Sequence, residues 1–593
     1  MGSFACLSVR LHLRSGGGGG VDPKLCDTTV YLTAPDPHLS LCIRRCRYRY
    51  THAPPTVPFP SPKMHILLLL SLPAILLITR YIFTLLFTSY TQRTLLSIPG
   101  PFWTRFSRLW YFRRVWNGNF EEDNIALHKK YGDVVRIAPG QYSINDRTAL
   151  RTIYGPGTKF AKAAWYEGWK HPDPERWTLF PDRNIKRHGT FRSDKARNEM
   201  VMRMLMKRRT GETRKRFSSL YSMSSLVHYE EFVDQSADVF FQRFREFANQ
   251  DAAFNLGEWF QFYAFDVIGQ ITYGQRFGFL DKGHDIDGTI DALGHVLVYS
   301  TLIGIYHEWH SRLFGLLSRF KWSGAGGRTY LMRYVQEKIA QFSSKPKPSI
   351  EEGSLATQTF LEKMILARDK DPEKVTDYHV FMMGLSNIIA GSDTTAISLS
   401  AILYYLLHYP TVLAKLREEI DEFTKQGRCS ERVTFKESQD MPYFQAVMKE
   451  ALRMHSATGL PFWRVVPAGG AEISGHFFPE GTVVGVNAWV YHYDESVFPD
   501  ARTFRPERWI EAEEDPARLK VMNEIYMPFG LGSRTCLGKH ISILEMSKLI
   551  PRILRDFDFV AEKPTWNTEN FWFVKPTDFR VKVRRRESKS ERL

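Results

Sequence analysis

Apolar positions in this chain follow three patterns. Met64–Tyr90 is apolar on every side: Ile66–Thr79 is nearly continuous Leu, Ile and Ala, Arg80 interrupts, and Tyr81–Phe87 resumes. A membrane span needs about 20 residues at about 1.5 Å rise each, and this stretch reaches that length if Arg80 snorkels. It predicts a transmembrane helix over 64–90. A cleaved signal peptide is the alternative, because the first apolar block is short. The second pattern is helical. Trp259, Phe262, Phe265, Ile268, Ile271 and Tyr273 predict a helix within 255–278, Val375–Tyr405 predicts a long one, and Ile541, Leu544, Met546, Leu549 and Ile550 a third. The third pattern is strand-like. Tyr131–Pro139 reads as a strand ending in a turn, and Gln141–Asn145 pairs with it as a hairpin. Alternation over Gly475–Val490 reads as further strand, with turns at Gly469-Gly470 and Pro479-Glu480-Gly481.

Composition sets the organisation. The chain has 593 residues, 43% of them hydrophobic and 24% charged, which suits a largely globular protein. Residues 1–63 differ: a Gly16–Gly20 run, Arg44, Arg45, Arg47 and Arg49, then five prolines between Pro54 and Pro62 predict disorder. We expect 1–63 to be an extension upstream of a natural start at Met64. Met1-Gly2 is not a myristoylation signal, because Cys6 stands where Ser or Thr is needed. Net charge is +16, which suits anionic membranes and acidic protein partners. Nucleic acid is excluded, since no zinc, helix-turn-helix or RNA-binding signature accompanies the charge. Four of six cysteines fall in the first 46 residues, leaving Cys429 and Cys536. That is no disulfide framework, so the main domain belongs to a reducing compartment.

Chemistry concentrates at Phe529-Gly530-Leu531-Gly532-Ser533-Arg534-Thr535-Cys536-Leu537-Gly538. Glycines let the backbone curl tightly and approach a flat ligand. A thiol beside Arg534 and a helix N-terminus is expected to have a lowered pKa. A thiolate is a strong axial ligand for haem iron. The run resembles, at every fixed position, the haem signature of the cytochrome P-450 family. A second feature supports the resemblance. Ala390-Gly391-Ser392-Asp393-Thr394-Thr395 lies inside the long predicted helix, where Gly391 costs about 0.5–1 kcal/mol relative to Ala. A bare backbone there is expected to let a cofactor or dioxygen approach. Glu450 and Arg453 in Lys449-Glu450-Ala451-Leu452-Arg453, with Phe504-Arg505-Pro506-Glu507-Arg508-Trp509 downstream, match two further family signatures.

The resemblance covers about 97–585. It implies a mostly helical domain with a small β lobe, preceded by the single anchor. The wording around Met448–Arg464 and Phe478–Trp509 resembles fungal members such as pisatin demethylase and benzoate 4-monooxygenase relatives. By resemblance, Cys536 ligates the iron of haem b, Thr394 hydrogen-bonds dioxygen, and Asp393 helps relay protons. Phe529, Gly530, Gly532 and Gly538 shape the loop, and Glu450, Arg453 and Arg508 form a buried network supporting it. Arg464 and Arg534 bind the haem propionates. His188 and Arg214 would add a propionate contact, but 25 residues separate them. Removing Thr190–Gly211 restores the i, i+4 spacing, so that stretch reads as an insertion or as a long loop. The implied reaction is monooxygenation of a small hydrophobic organic substrate by O2, with electrons from NADPH through a cytochrome P-450 reductase. Lys539 and Arg216 are expected to dock that reductase. The implied setting is the endoplasmic reticulum membrane, with the catalytic domain cytosolic. Two rivals stand beside it: a haem-thiolate isomerase or dehydratase needing no reductase, and a membrane-anchored binding protein.

Overall fold

Helices carry most of the described residues, and small sheets sit at their margins. The computed structural model describes residues 95–172, 214, 217–344 and 358–586, together with Thr79 and Ile82. Residues 1–63, His188, Thr190–Gly211 and Arg216 lie outside the described residues, as does the predicted anchor except for Thr79 and Ile82. Among the described residues no single helix is long and apolar enough to cross a membrane.

In chain order the elements that frame the site are strands β1 (Val134–Ala138), β2 (Gln141–Ile144) and β3 (Ala161–Lys162), then helices α1 (Glu230–Gln250), α2 (Leu256–Tyr273), α3 (Thr289–Ile305), α4 (Gly324–Ser344), α5 (Asp377–His408) and α6 (Pro442–Met454). Strands β4 (Arg464–Val465) and β5 (Val483–Gly485), helix α7 (Lys539–Asp556) and the hairpin β6 (Thr568–Phe571) and β7 (Phe573–Pro576) complete them. The helix expected within 255–278 is α2, which is buried on nearly every side, as an element apolar all round must be. The expected hairpin is β1–β2, antiparallel with Val134 opposite Ile144. It forms one side of a five-stranded sheet in the order β1-β2-β5-β4-β3.

Two sequence readings need correction. Strand alternation does not run to Val490: it stops at Gly485, and Ala488–His492 is a helix. Asn487 sets that boundary, its side-chain oxygen accepting the Trp489 N–H at 3.1 Å. Gly391 does not leave space for a cofactor. A Cβ there would meet Ile268 Cγ1 of α2 at 3.0 Å, and a Cβ on Gly384 would meet the Tyr273 hydroxyl at 2.6 Å. Seven residues apart, both glycines lie on the α5 face that packs on α2, and they let the two helices close together.

Candidate active site

The cysteine loop is shaped by its glycines. Gly530 and Gly532 have φ of +73° and +60°, where a side chain is strained. A Cβ on Gly532 would also sit 1.9 Å from the Tyr154 carbonyl oxygen. The Cys536 N–H closes the loop on the Phe529 carbonyl at 2.8 Å. Gly538 then caps α7, and the N–H groups of Gly538 and Lys539 bond the sulfur. Lys539 Nζ lies 5.9 Å from the centre of the Phe529 ring. The Arg214 guanidinium donates to the Thr535 carbonyl, one residue before the cysteine.

The expectation of a lowered thiol pKa is overturned. Burial among protein atoms raises Cys536, and this outweighs the two N–H bonds and the charges of Arg214 and Lys539. Arg534 does not assist the sulfur; its electrostatic neighbour is Arg464. That direction belongs to the sulfur with no metal on it; a haem iron bound there would favour the thiolate. Cys536 is nonetheless accessible. A group deep among protein atoms yet accessible from outside is one that lines a cleft.

Helix α5 shows the same character. Ser386 and Ala390 are exposed and Thr394 is half-buried, each four residues from the last, while Asn387, Ile388, Ser392, Asp393 and Thr395 around them are buried. One accessible stripe along an inner helix marks a cleft wall. The Thr394 hydroxyl donates to the Ala390 carbonyl at 2.7 Å, a bond that does not use its oxygen lone pairs. Asp393 points away into the protein. Its Oδ1 accepts from Gln261 Nε2 of α2 and from Lys575 Nζ of β7, the latter at 3.0 Å, while Oδ2 is buried with no partner among the described residues. Tyr221 ties the two sides together: it donates to Asn387 on α5 and lies within electrostatic reach of Cys536.

Arg464 and Arg534 line a small cavity with Tyr154, Ser533 and Leu531. Arg464 Nη1 donates to the Trp463 carbonyl at 2.9 Å, and the guanidinium sits 5.0 Å from the Tyr154 ring centre. Among the described residues neither arginine has a carboxylate partner. Paired cations beside a cysteine loop, with an accessible helix stripe, fit a flat dianionic cofactor, which Arg464 and Arg534 would hold by its carboxylates and Cys536 by its metal. Phe462, two residues before Arg464, is half-buried.

Glu450, Arg453 and Arg508 are fully buried and bonded together. Arg453 makes two bonds to Glu450, at 3.0 and 2.8 Å, and Arg508 Nε a third at 2.9 Å. Trp509 Nε1 donates to Glu450 as well, at 2.9 Å. The sequence reading missed the link from this network to the loop. Arg453 Nη1 donates to the His492 carbonyl at 2.6 Å, and the Met527 N–H donates to His492 Nε2 at 2.9 Å. Met527 in turn accepts the Gly530 N–H at 3.0 Å. Burial, then the Arg453 charge, pushes the His492 imidazole down to about 3, so it is neutral and keeps an acceptor for Met527. No local motif announces His492.

Comparison with known proteins agrees with this geometry. The family description "Cytochrome P450" matches residues 97–583. A pisatin demethylase of Fusarium vanettenii is 38% identical over 491 residues, 82% of this chain and 87% of that protein. A cytochrome P450 monooxygenase of Aspergillus terreus is 34% identical over 78% of this chain and 90% of its own length. The monooxygenase cicH of Emericella nidulans is 33% identical over 82% and 93%. The family's cofactor is haem b with a cysteine thiolate on the iron, and Cys536 is the residue at that position of the motif. The chain belongs to the cytochrome P450 family and is a haem-thiolate oxidoreductase of its monooxygenase class.

Proposed function

We propose that this enzyme places one atom of dioxygen into a small, flat, hydrophobic organic substrate, using NADPH electrons delivered by a flavoprotein reductase. The observation that carries the reading is Thr394, on the accessible stripe of α5 with its oxygen lone pairs free. When bound, haem supplies the oxygen-activating chemistry. The chain's residues do the rest. Gly538 and Lys539 N–H groups hold the sulfur, and Arg464 and Arg534 hold carboxylates. Thr394 orients small polar molecules on the stripe. Asp393, bonded to the half-exposed Lys575, links that helix to solvent and supplies a proton route.

An aromatic wall supports a flat substrate. Tyr166 and Phe462 lie 6.0 and 6.1 Å from Trp572, ring centre to ring centre. Trp572 forms the β6–β7 tip with φ +80°, a strained value for a bulky residue. The relatives named pisatin demethylase and cytochrome P450 monooxygenase support an aromatic or secondary-metabolite substrate for this chain. A lipid surface is supported by exposed Phe102, Trp103, Leu109 and Trp116, which adjoin exposed Trp309, Leu313 and Leu316. The Arg108–Glu308 ion pair and the Phe112–Tyr306 ring contact at 5.8 Å join the two segments. With the predicted 64–90 anchor, this face would rest on the endoplasmic reticulum membrane, the catalytic domain on the cytosolic side.

The test is turnover of phenolic, terpenoid and polyketide compounds with reductase, NADPH and isotope-labelled dioxygen. One labelled atom in the product, with strict dependence on reductase, is expected. Turnover without reductase, giving unlabelled product, overturns the reading in favour of an isomerase or dehydratase.

A further inference from the structure

Lys162 sits in a place that repels it. It is the second residue of β3, and the register puts it directly opposite Arg464 on β4. Like charges facing each other across strands destabilise the pair. Arg534, Lys170 and Arg214 add to the same positive field, and burial with this repulsion pushes the Lys162 ammonium down to about 8. Among the described residues no carboxylate pairs with Lys162. Its ammonium instead lies 4.5 Å from the Tyr166 ring centre, and the Tyr166 hydroxyl takes Arg464 Nη1 at 3.4 Å. Like Cys536, Lys162 is accessible while protein closes round it.

Three cations gathered at one cleft, with no acid paired to them among the described residues, are a site for anions from outside those residues. Haem b carries two carboxylates on one edge, and each oxygen pair accepts more than one charged donor. We propose that Lys162 is a third haem-carboxylate contact, gripping the cofactor edge from β3 across from Arg464. It is a positioning residue. Because β3 runs directly into Ala164–Trp169, the same contact fixes where Tyr166 of the aromatic wall stands relative to the haem. The motifs did not reveal it, since Lys162 meets Arg464 only through strand pairing.

A carboxylate on the substrate would meet the same chemistry, and the experiment separates the two sources. Haem-loaded wild type, Lys162→Met and Lys162→Arg are mixed with excess apomyoglobin and haem transfer is timed. Transfer from Lys162→Met is expected at least about 10-fold faster than from wild type, the scale of one charged hydrogen bond, with Lys162→Arg close to wild type. The three proteins are then loaded with the dimethyl ester of haem b, whose carboxylates cannot take charged donors. With the ester, wild type and Lys162→Met are expected to release at the same rate. Equal release of ordinary haem, or the same ratio for haem and ester, overturns the proposal. If Lys162→Met does not load haem, Lys162→Gln takes its place under the same criteria.

Discussion

The hydroxyls of Thr395 and Ser542 lie 2.7 Å apart in a buried contact between α5 and α7. Thr395 follows the residue expected to handle dioxygen, and Ser542 lies on the helix that starts behind the cysteine. The two walls of the site are therefore bonded to each other. Thr395→Val keeps the shape and strands the Ser542 hydroxyl, a cost of about 1–3 kcal/mol. Urea denaturation should show that loss, and the Thr395→Val/Ser542→Ala double variant should lose less than the two single losses summed. Strict additivity would mean the hydroxyls do not hold the helices.

Glu450 receives three buried N–H groups from two arginines and a fourth from an indole. Removing one partner leaves charge uncompensated in the interior, which costs about 3–5 kcal/mol. Arg508→Met should lower the denaturation midpoint by that scale and reduce the haem loaded per chain, because the network reaches Met527 through His492. A variant with full haem content and wild-type stability would contradict this.

Acid should weaken the fold through its buried histidines. Burial holds His128 and His455 at about 4, and burial with the Arg453 charge holds His492 at about 3. These folded values lie below the ordinary value of about 6.5, so the unfolded chain takes up protons first. The stability they contribute is complete above about pH 6.5 and falls as pH drops toward the folded values, by up to about 1.4 kcal/mol per pH unit for each group. Denaturation midpoints taken from about pH 7.5 to about pH 5 should fall. His492→Gln, which keeps an acceptor and does not titrate, should flatten the curve. A pH-independent midpoint would count against these neutral assignments.

Asp393 and Lys575 should affect catalysis without affecting cofactor binding. Asp393→Asn removes the charge but keeps the shape, and reductase-driven turnover should fall by about 100-fold or more, as for other losses of a proton-transfer group. The solvent isotope effect should rise while the haem spectrum stays unchanged. Lys575→Met should fall in the same direction. Unchanged turnover in Asp393→Asn would assign the ion pair to packing alone.

Local signals in the sequence carried the helices, the hairpin and the cysteine loop. Trp259 to Tyr273 recur at helical spacing because one helix buries them, and the loop motif needs its glycines for positive φ. Long-range relationships were not legible. Lys162 becomes meaningful only opposite Arg464, and His492 only between Arg453 and Met527. Cys536 was legible as the iron ligand, but not the direction in which its thiol shifts: a motif displays adjacent charges and helix ends but not desolvation, which dominates in the protein without iron. Gly391 was misread for a related reason: a glycine in a helix declares a close approach but not what approaches, and here it is Ile268.

Haem chemistry in this protein depends on the sulfur of Cys536 as the iron ligand. Dithionite-reduced protein under carbon monoxide, with Cys536→Ser alongside, measures this directly. Wild type should show the Soret band at the wavelength that gives the family its name, and Cys536→Ser should lose it. A folded, haem-loaded wild type without that band, or a Cys536→Ser variant that keeps it, would contradict the assignment.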